Sequence, residues 1–465
     1  MGGLQKKIYD NSPYFIKSLI VNIKAYSNYK QRFNKEFYNY LSEHNILWNA
    51  DIEKLKSYQK KRLKELLSEV FLYSEWYKNK MEALNINLNQ IENDPIGILS
   101  KMPVLSKSER KSNTDLLINT NRKIDTIGYS SGTSGSPTKN YLDKDSINRS
   151  FALWKRFHKT IGLNVINKHV RFSGRIIVEP SKNKPPFWVY NYFEKQLLVS
   201  TYHMTDKNMA SYVEKLNKFK PVLLDGYPSA IYVLSQFINR NNIKLKFTPT
   251  AIATTAETLY DYQRLEIEKA FNTKVYNQYA SSEGSPFITE CKNGNLHLNL
   301  DSGIFEFVNL DGKEASAGEI ANLVVTSFRN EKTPLIRYNI EDSVLLPKKN
   351  TKCDCGCQMP VIEKIIGRED DILWTEEKGY VGRMGPAFKG LDGIVKSQII
   401  QNSPKEVIVY LIVEKTFSKK DEEQFLNNLK DRLGNNVEYQ INKVDTIPLS
   451  SNGKHVTVKR NFKIS

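Results

Sequence analysis

Residues 129–138 read Tyr-Ser-Ser-Gly-Thr-Ser-Gly-Ser-Pro-Thr. Positions 130–135 alone carry four hydroxyl side chains (Ser130, Ser131, Thr133, Ser134) and two glycines (Gly132, Gly135). Such a stretch is too polar for a core segment. Glycine lets backbone N–H groups turn toward an anion, and the hydroxyls add further donors. The segment reads as a loop built to hold phosphates, with a flexible Ser/Gly turn as the plainer alternative. It is not a Walker A loop, because G-x-x-x-x-G-K-[ST] is absent.

Around this loop the pattern is mixed. From about residue 124 onward, short β-rich runs such as 222–224 and 250–255 alternate with helical stretches such as 260–271. That alternation predicts an α/β fold with a largely parallel sheet. Residues 295–345 are strand-dense, which predicts a distorted antiparallel sheet or barrel. The first 100 residues read as a helical lead-in: Leu63, Leu66, Leu67, Val70 and Phe71 recur at helical spacing. Ser106 with Glu109 forms a capping-box pattern for a helix at 107–112. Phe15, Ile16, Leu19, Ile20 and Ile23 make a shorter apolar stripe, read as a helix docked on the body. The alternative is a membrane-surface helix with Lys17 and Lys24 snorkelling. A break at 367–372 precedes a strand (407–413), a charged helix (419–433) and a final strand, a small α+β unit. The expected division is a large domain at 1–366, a hinge at 367–372 and a mobile small domain at 373–465.

Composition narrows the class. Of 465 residues, 40% are hydrophobic and 11% aromatic, enough to build substantial cores. No apolar run approaches a spanning helix, and the first 15 residues lack the apolar centre of a signal peptide. Four cysteines are no disulfide framework. These features point away from membrane-spanning, secreted-miniprotein and fibrous proteins and toward the cytoplasm. The net charge of +17 invites nucleic acid, anionic lipid or polyanionic substrates. No groove-reading or base-stacking motif accompanies it, so nucleic acid is not an expected partner. Residues 1–80 hold 15 Lys/Arg against 8 Asp/Glu, a surplus lying outside the motifs that follow.

Ser130-Ser131-Gly132-Thr133-Ser134-Gly135-x-Pro137 resembles the phosphate-binding loop of the adenylate-forming superfamily. Thr138, where many members carry Lys, is similar to the phenylacetate–CoA ligase branch. Further resemblances follow in the family's order: Thr255-Ala256-Glu257-Thr258-Leu259; Gln278 through Gly284; Pro334-Leu335-Ile336-Arg337-Tyr338 through Asp342; Gly367-Arg368-Glu369-Asp370-Asp371; and Pro448 through Lys454. One match is weak evidence, whereas six in order are hard to obtain by chance. Gly226-Tyr227-Pro228-Ser229-Ala230 is similar to the CapK-like, capsular-polysaccharide-associated group.

The resemblance implies a chemistry. A carboxylate attacks the α-phosphate of ATP, giving acyl-AMP and pyrophosphate, and a thiol or amine then displaces AMP. The 130–135 loop would hold the β,γ-phosphates, and Glu283 would bind Mg²⁺. Ala256 and Glu257 would line the adenine and acyl pocket. Tyr279 would pack on adenine with Ser282 beside it, and Asp342 would accept the ribose hydroxyls. Arg368 would reach ribose or phosphate, and Asp370 would serve as the hinge. Lys454 would bring a mobile cation to the charge developing between carboxylate and α-phosphate. Read without the family, Glu283 and Asp342 are solvated loop acids. Tyr227 and Phe287 would leave room for an apolar or aromatic acid. Two departures stand out: Ala280 replaces the usual Gly after the Tyr, and Glu341 the usual Gly before Asp342.

Cys353-Asp354-Cys355-Gly356-Cys357 packs three thiols into five residues, with Cys291 and His297 some sixty residues upstream. A C-x-C knuckle with Gly suits a tetrahedral thiolate site, and His297 would complete it. Some phenylacetate–ligase relatives are held to carry zinc on a similar set. Which three of Cys291, Cys353, Cys355 and Cys357 would ligate a structural Zn²⁺ stays open, as does a metal-free set of thiols. The expected activity is ATP-dependent, AMP-forming ligation of a small carboxylic acid to CoA. The rival acceptors are a carrier-protein phosphopantetheine or an amine in surface-polysaccharide synthesis, and a catalytically idle scaffold is the third reading. Weak association with a membrane surface completes the expected partners.

Overall fold

The computed structural model describes residues 12–462 apart from 130–138, 174, 176, 180–181, 202, 205, 257–258, 260, 282, 285–286, 310–312, 350, 369–372, 378, 382–383, 385–386, 388–390, 392–393, 414–416 and 448–457. Helices fill residues 14–101, from Tyr14–Arg32 to Pro95–Lys101. The helix Ile52–Tyr73 starts where the Asp51 side chain accepts from Lys54 N at 2.7 Å, and it buries Leu55, Leu63, Leu66, Leu67 and Val70. The helix Lys107–Ser112 opens on a capping box between Ser106 and Glu109, as its spacing predicts.

The first helix, Tyr14–Arg32, corrects the sequence reading in one respect. It docks on the body, but through Lys17 and Ala25, while Phe15, Leu19 and Ile23 face outward.

A hairpin of β1 (Thr126–Tyr129) and β2 (Lys139–Leu142) flanks the Ser/Gly loop, which itself lies outside the described residues. The body is a nine-stranded mixed sheet built from β3 (His169–Ser173), β4 (Trp188–Asn191), β5 (Gln196–Ser200), β6 (Leu223–Gly226), β7 (Ala251–Thr254), β8 (Val275–Ala280), β9 (Phe287–Glu290) and β10 (Leu296–Leu298), with β14 (Val361–Ile362) at one edge. Its order is β14-β10-β9-β8-β7-β6-β3-β5-β4. The five middle strands run parallel and the flanking ones antiparallel. All residues of β6 and β7 are buried, which is why these strands read as continuous apolar runs rather than alternating ones.

Gly226 ends β6 at φ 136, and a Cβ there would lie 1.8 Å from the Phe172 carbonyl oxygen, so the chain turns off the sheet only with glycine. The turns carrying Tyr227, Thr255-Ala256 and Ser281, Glu283 and Gly284 all leave the same carboxyl edge, because β6, β7 and β8 run parallel. In α/β sheets that edge is where ligands bind.

A second, four-stranded antiparallel sheet joins β11 (Gly303–Val308), β12 (Ile320–Ser327), β13 (Tyr338–Leu345) and β15 (Lys364–Arg368), with register shifts in β12–β13 and β13–β15. This is the distorted antiparallel unit that residues 295–345 predict. Beyond it lies the short pair β16 (Leu373–Thr375) and β17 (Gly379–Val381). The last unit is a sheet of β18 (Ile394–Ser403), β19 (Glu406–Val413), β20 (Glu438–Lys443) and β21 (Val458–Arg460), covered by the helix Lys419–Leu433. Val407, Val409 and Leu411 alternate into its core against Phe425, Leu429 and Leu433. Among the described residues no helix is long and apolar enough to cross a membrane.

Candidate functional site

The carboxyl edge of the nine-stranded sheet brings two acids into buried surroundings. Glu283 and Asp342 are each only 5% exposed, so neither is a solvated loop acid. Glu283 follows β8 in a tight turn where Gly284 adopts φ 93 and its carbonyl accepts from Ser327 Oγ at 2.8 Å. Its Oε1 lies 3.3 Å from Arg110 Nη1, and its Oε2 accepts from the Tyr338 hydroxyl at 3.0 Å. Arg110, on the capped helix Lys107–Ser112, also donates to Asn140 Oδ1 on β2 and stacks 5.6 Å from the Tyr338 ring. One guanidinium thus ties the hairpin bearing the Ser/Gly loop to Glu283. Among the described residues each Glu283 oxygen has one such side-chain partner, which leaves lone-pair capacity that suits a hard dication beside phosphates. Burial, with Glu283 beside it, raises the Tyr338 phenol above its ordinary value, so it stays a donor.

Asp342 sits on β13 and accepts from the Tyr279 hydroxyl through Oδ2. Tyr279 is itself 7% exposed and packed in the core beside Ile288 and Leu298. Across the ladder, Asp342 pairs in register with Arg368 of β15, so these two backbones lie side by side. The segment leading to Asp342 is anchored from both ends. Tyr77 donates to Pro334 O at 3.1 Å and accepts from Ile336 N at 3.0 Å, while Arg337 forks onto Glu306 and reaches Met102 O at 2.6 Å. Glu341 adopts φ 61, a conformation glycine favours, and its carboxylate pairs with Lys107 at 3.0 Å. The added negative charge beside Asp342 is therefore matched locally. Ala256 also has a positive φ, 68, beside Thr255, whose N–H donates to Gly226 O at 2.9 Å.

Phe287 does not face a pocket. It is 1% exposed, packs with Leu153, Phe157 and Ala253, and lies under the Arg329 guanidinium at 5.2 Å. Glu257, Ser282, Asp370 and Lys454 fall, with Ser130 to Gly135, outside the described residues. Arg110 and the Tyr338 hydroxyl are the partners of Glu283 that the sequence reading did not assign. Tyr338 lies inside a recognised motif, but nothing local to Arg110 marks it, since its partner is 173 positions away.

A second cluster lies at the far end of β9. Cys291, His297, Cys353 and Cys355 bring their donor atoms within 4.8 Å of one another. Cys291 and Cys353 sulfurs are 3.6 Å apart, and Cys355 Sγ is 3.4 Å from His297 Nε2. His297 Nδ1 faces the Met359 carbonyl at 2.9 Å, which makes Nδ1 the protonated nitrogen and leaves the Nε2 lone pair for a cation. Burial lowers the His297 pKa, which favours that neutral form. Burial pushes the Cys355 thiol up to about 12 and raises that of Cys291, while hydrogen bonds from Cys355 N–H and Asn295 lower that of Cys353, so holding all three as thiolates would take a cation. The donor set is that of a closed tetrahedral site. Cys357, part of the expected set, stands outside it: its N–H donates to Cys355 Sγ at 3.5 Å while its own side chain is buried in the core. A cavity of about 260 Å³, lined by Trp48, Lys159, Lys292, Cys291 and Cys355 among others, gives access to the cluster.

Against known proteins, the chain is 35% identical to Protein CapK of Staphylococcus aureus over 98% of its own length and 99% of that relative. The chain belongs to the CapK family. Residues 373–461 match the family described as the CapK C-terminal domain. More distant relatives are a phenylacetate-coenzyme A ligase of Thermus thermophilus, 22% identical over 69% of this chain and 72% of that one, and an indoleacetate–lysine synthetase of Pseudomonas savastanoi, 26% identical over 60% and 68%. Among solved structures, a 2-hydroxyisobutyryl-CoA ligase in complex with an acyl-AMP superposes with a TM-score of 0.58 at 16% identity, covering 89% of this chain and 91% of that one. This CapK-family chain therefore has the fold of the adenylate-forming ligases, with a large mixed-sheet domain and a small C-terminal α+β domain.

Proposed function

We propose that the protein is an AMP-forming ligase that activates a small carboxylic acid with ATP and passes the acyl group to the thiol of CoA. The observation that carries this reading is the joining of Glu283, through Arg110, to the hairpin that flanks the Ser/Gly loop, at the carboxyl edge where Tyr279 also holds Asp342. In the first step a substrate carboxylate oxygen bonds to the α-phosphorus and the bond to pyrophosphate breaks. No general base is required, because the nucleophile is already an anion. The thiol then attacks the acyl carbon, losing its proton, and AMP leaves with the former carboxylate oxygen.

In this reading Ser130 to Gly135 hold the β,γ-phosphates, Glu283 supplies the carboxylate for Mg²⁺, and Asp342 with Arg368 takes the ribose. Ala256, Glu257, Tyr279 and Ser282 line the nucleotide side, with Tyr279 acting chiefly by orienting Asp342. Lys454 brings its ammonium to the α-phosphate, and a hinge at 367–372, centred on Asp370, carries it there between the units 1–366 and 373–465. Cys291, His297, Cys353 and Cys355 are proposed to bind one structural Zn²⁺, leaving no coordination position for substrate.

ATP–pyrophosphate exchange with a panel of acids tests the reading. Absence of exchange with every acid, while Lys454→Ala still changes a cellular phenotype, would assign the chain a scaffold role instead. A second reading keeps the acyl-AMP and changes the acceptor to an amine or a carrier-protein thiol. It is favoured by the likeness to a synthetase whose name joins an acid to lysine, at an identity no lower than that to the CoA ligase. Single-turnover release of AMP on adding CoA, a carrier protein or amino compounds in turn separates the acceptors.

A further inference from the structure

The helix Tyr14–Arg32 shows more apolar surface than its docking uses. Its inner face buries Ala25 and Lys17. Asn22 hooks the turn between β4 and β5: Nδ2 donates to Tyr190 O at 2.8 Å, and Oδ1 accepts from Tyr192 N at 2.9 Å. On the outer face Phe15, Leu19 and Ile23 are 70%, 60% and 64% exposed. They stand four residues apart, a row about 12 Å long. Tyr26 extends the row and packs 5.0 Å from Phe193, and Tyr192 beside it is 68% exposed. A helix docked on a body turns its apolar row inward, and a contiguous exposed patch of this kind marks an interaction surface.

Charge selects the partner. Residues 12–35 contain Lys17, Lys24, Lys30, Arg32 and Lys35 and neither Asp nor Glu. In the adjoining turn the acid Glu194 is buried and held by Arg32 at 2.8 Å. Lys30 lies over the Tyr26 ring at 4.6 Å, and Lys24 and Lys195 are exposed. A second copy packed on this face would set one row of lysines against another. An anionic bilayer meets both features: acyl chains take the Phe, Leu and Ile side chains, the tyrosines sit at the headgroup level, and the lysines reach lipid phosphates.

We propose that this face docks the protein on an anionic lipid bilayer, the helix lying in the interfacial plane with Phe15, Leu19 and Ile23 inserted. The proposal stands apart from the ligase reading. It is tested by flotation of the full chain with vesicles of phosphatidylcholine alone and with about 30% phosphatidylglycerol. The expected result is binding to the anionic vesicles at least roughly tenfold tighter than to the neutral ones, weakened as salt is raised. Leu19→Glu/Ile23→Glu should lower that binding more than roughly tenfold, and Lys24→Glu/Lys30→Glu should remove the preference for anionic lipid. All four positions are solvent-facing, and an unchanged thermal midpoint shows that the variants fold. Failure of the wild type to bind at millimolar lipid, or equal binding by the apolar variant, overturns the proposal. So does a dimer that Leu19→Glu/Ile23→Glu dissociates without any vesicle binding, which assigns the face to a second copy. Vesicle binding that appears only after removal of residues 1–11 assigns it to that segment and overturns it likewise.

Discussion

Glu283 and Cys291 flank one short strand, Phe287–Glu290, and their surroundings are opposite in kind. At one end a buried carboxylate is already matched by protein: Arg110 supplies the charge and Tyr338 a hydroxyl. At the other end three thiols and an imidazole face one another, and Asn295 Nδ2, 3.2 Å from Cys353 Sγ, is only a neutral donor. The first arrangement is held together by protein groups alone. The second has the donor set of the proposed zinc site, with no Lys or Arg bonded to its sulfurs among the described residues. In the proposed function the first would serve transition-state charge and the second would serve folding through a bound metal.

The largest effect that can break this contrast lies at the thiol end. Purified protein is expected to carry about one zinc per chain, and chelation or His297→Ala should lower stability by on the order of 5 kcal/mol, because metal binding there is folding free energy. Metal analysis with thermal unfolding decides it, and a stoichiometry near zero with no change on chelation would sink the zinc assignment. Next comes the carboxylate end. Arg110→Met leaves Glu283 buried without its cation and should cost about 3–5 kcal/mol. The double variant Arg110→Met/Glu283→Gln should recover part of that stability but no pyrophosphate exchange. If it recovers exchange as well, Glu283 is a structural acid only.

A smaller change tests positioning. Tyr279→Phe removes one hydroxyl bond to Asp342 and should cost about 1–2 kcal/mol. It should raise KM for ATP more than it lowers kcat. An unchanged KM with a reduced kcat would place Tyr279 in the chemistry rather than behind Asp342. The smallest effect is expected at Cys357→Ser. Metal content should stay the same, with stability falling by about 1–3 kcal/mol for burying a hydroxyl. Loss of the metal in this variant would redraw the ligand set.

The site signals read from the sequence are local ones, and the Ser/Gly loop among them lies outside the described residues. A glycine- and hydroxyl-rich loop, a C-x-C knuckle and the ordered motif segments each depend on residues a few positions apart. The strand-dense stretch at 295–345 and the capped helix at 107–112 were legible for the same reason. Arg110 was not, because nothing near it announces an acid that arrives through the packing of a helix on a sheet edge. Phe287 read as a pocket wall and is core. Its neighbours come from the helix Lys144–Thr160 and from β7, which no pattern around Phe287 specifies.

The first helix shows where the division falls. Spacing alone determined that Phe15, Leu19 and Ile23 share one side of a helix, because 3.6 residues make a turn. Which side meets the body was decided by Asn22 bonding Tyr190 O and Tyr192 N and by Val21 packing against Ile177, Val178 and Val189, contacts that exist only in three dimensions. Likewise the four cysteines and His297 were visible as a candidate metal-ligating set from their residue types. That Cys357 stands apart follows from the antiparallel pairing of β10 with β14, which brings the knuckle back beside His297 and sends one of its three thiols inward. Periodicity and side-chain chemistry are properties of the chain; facing and coordination depend on what else is packed against it.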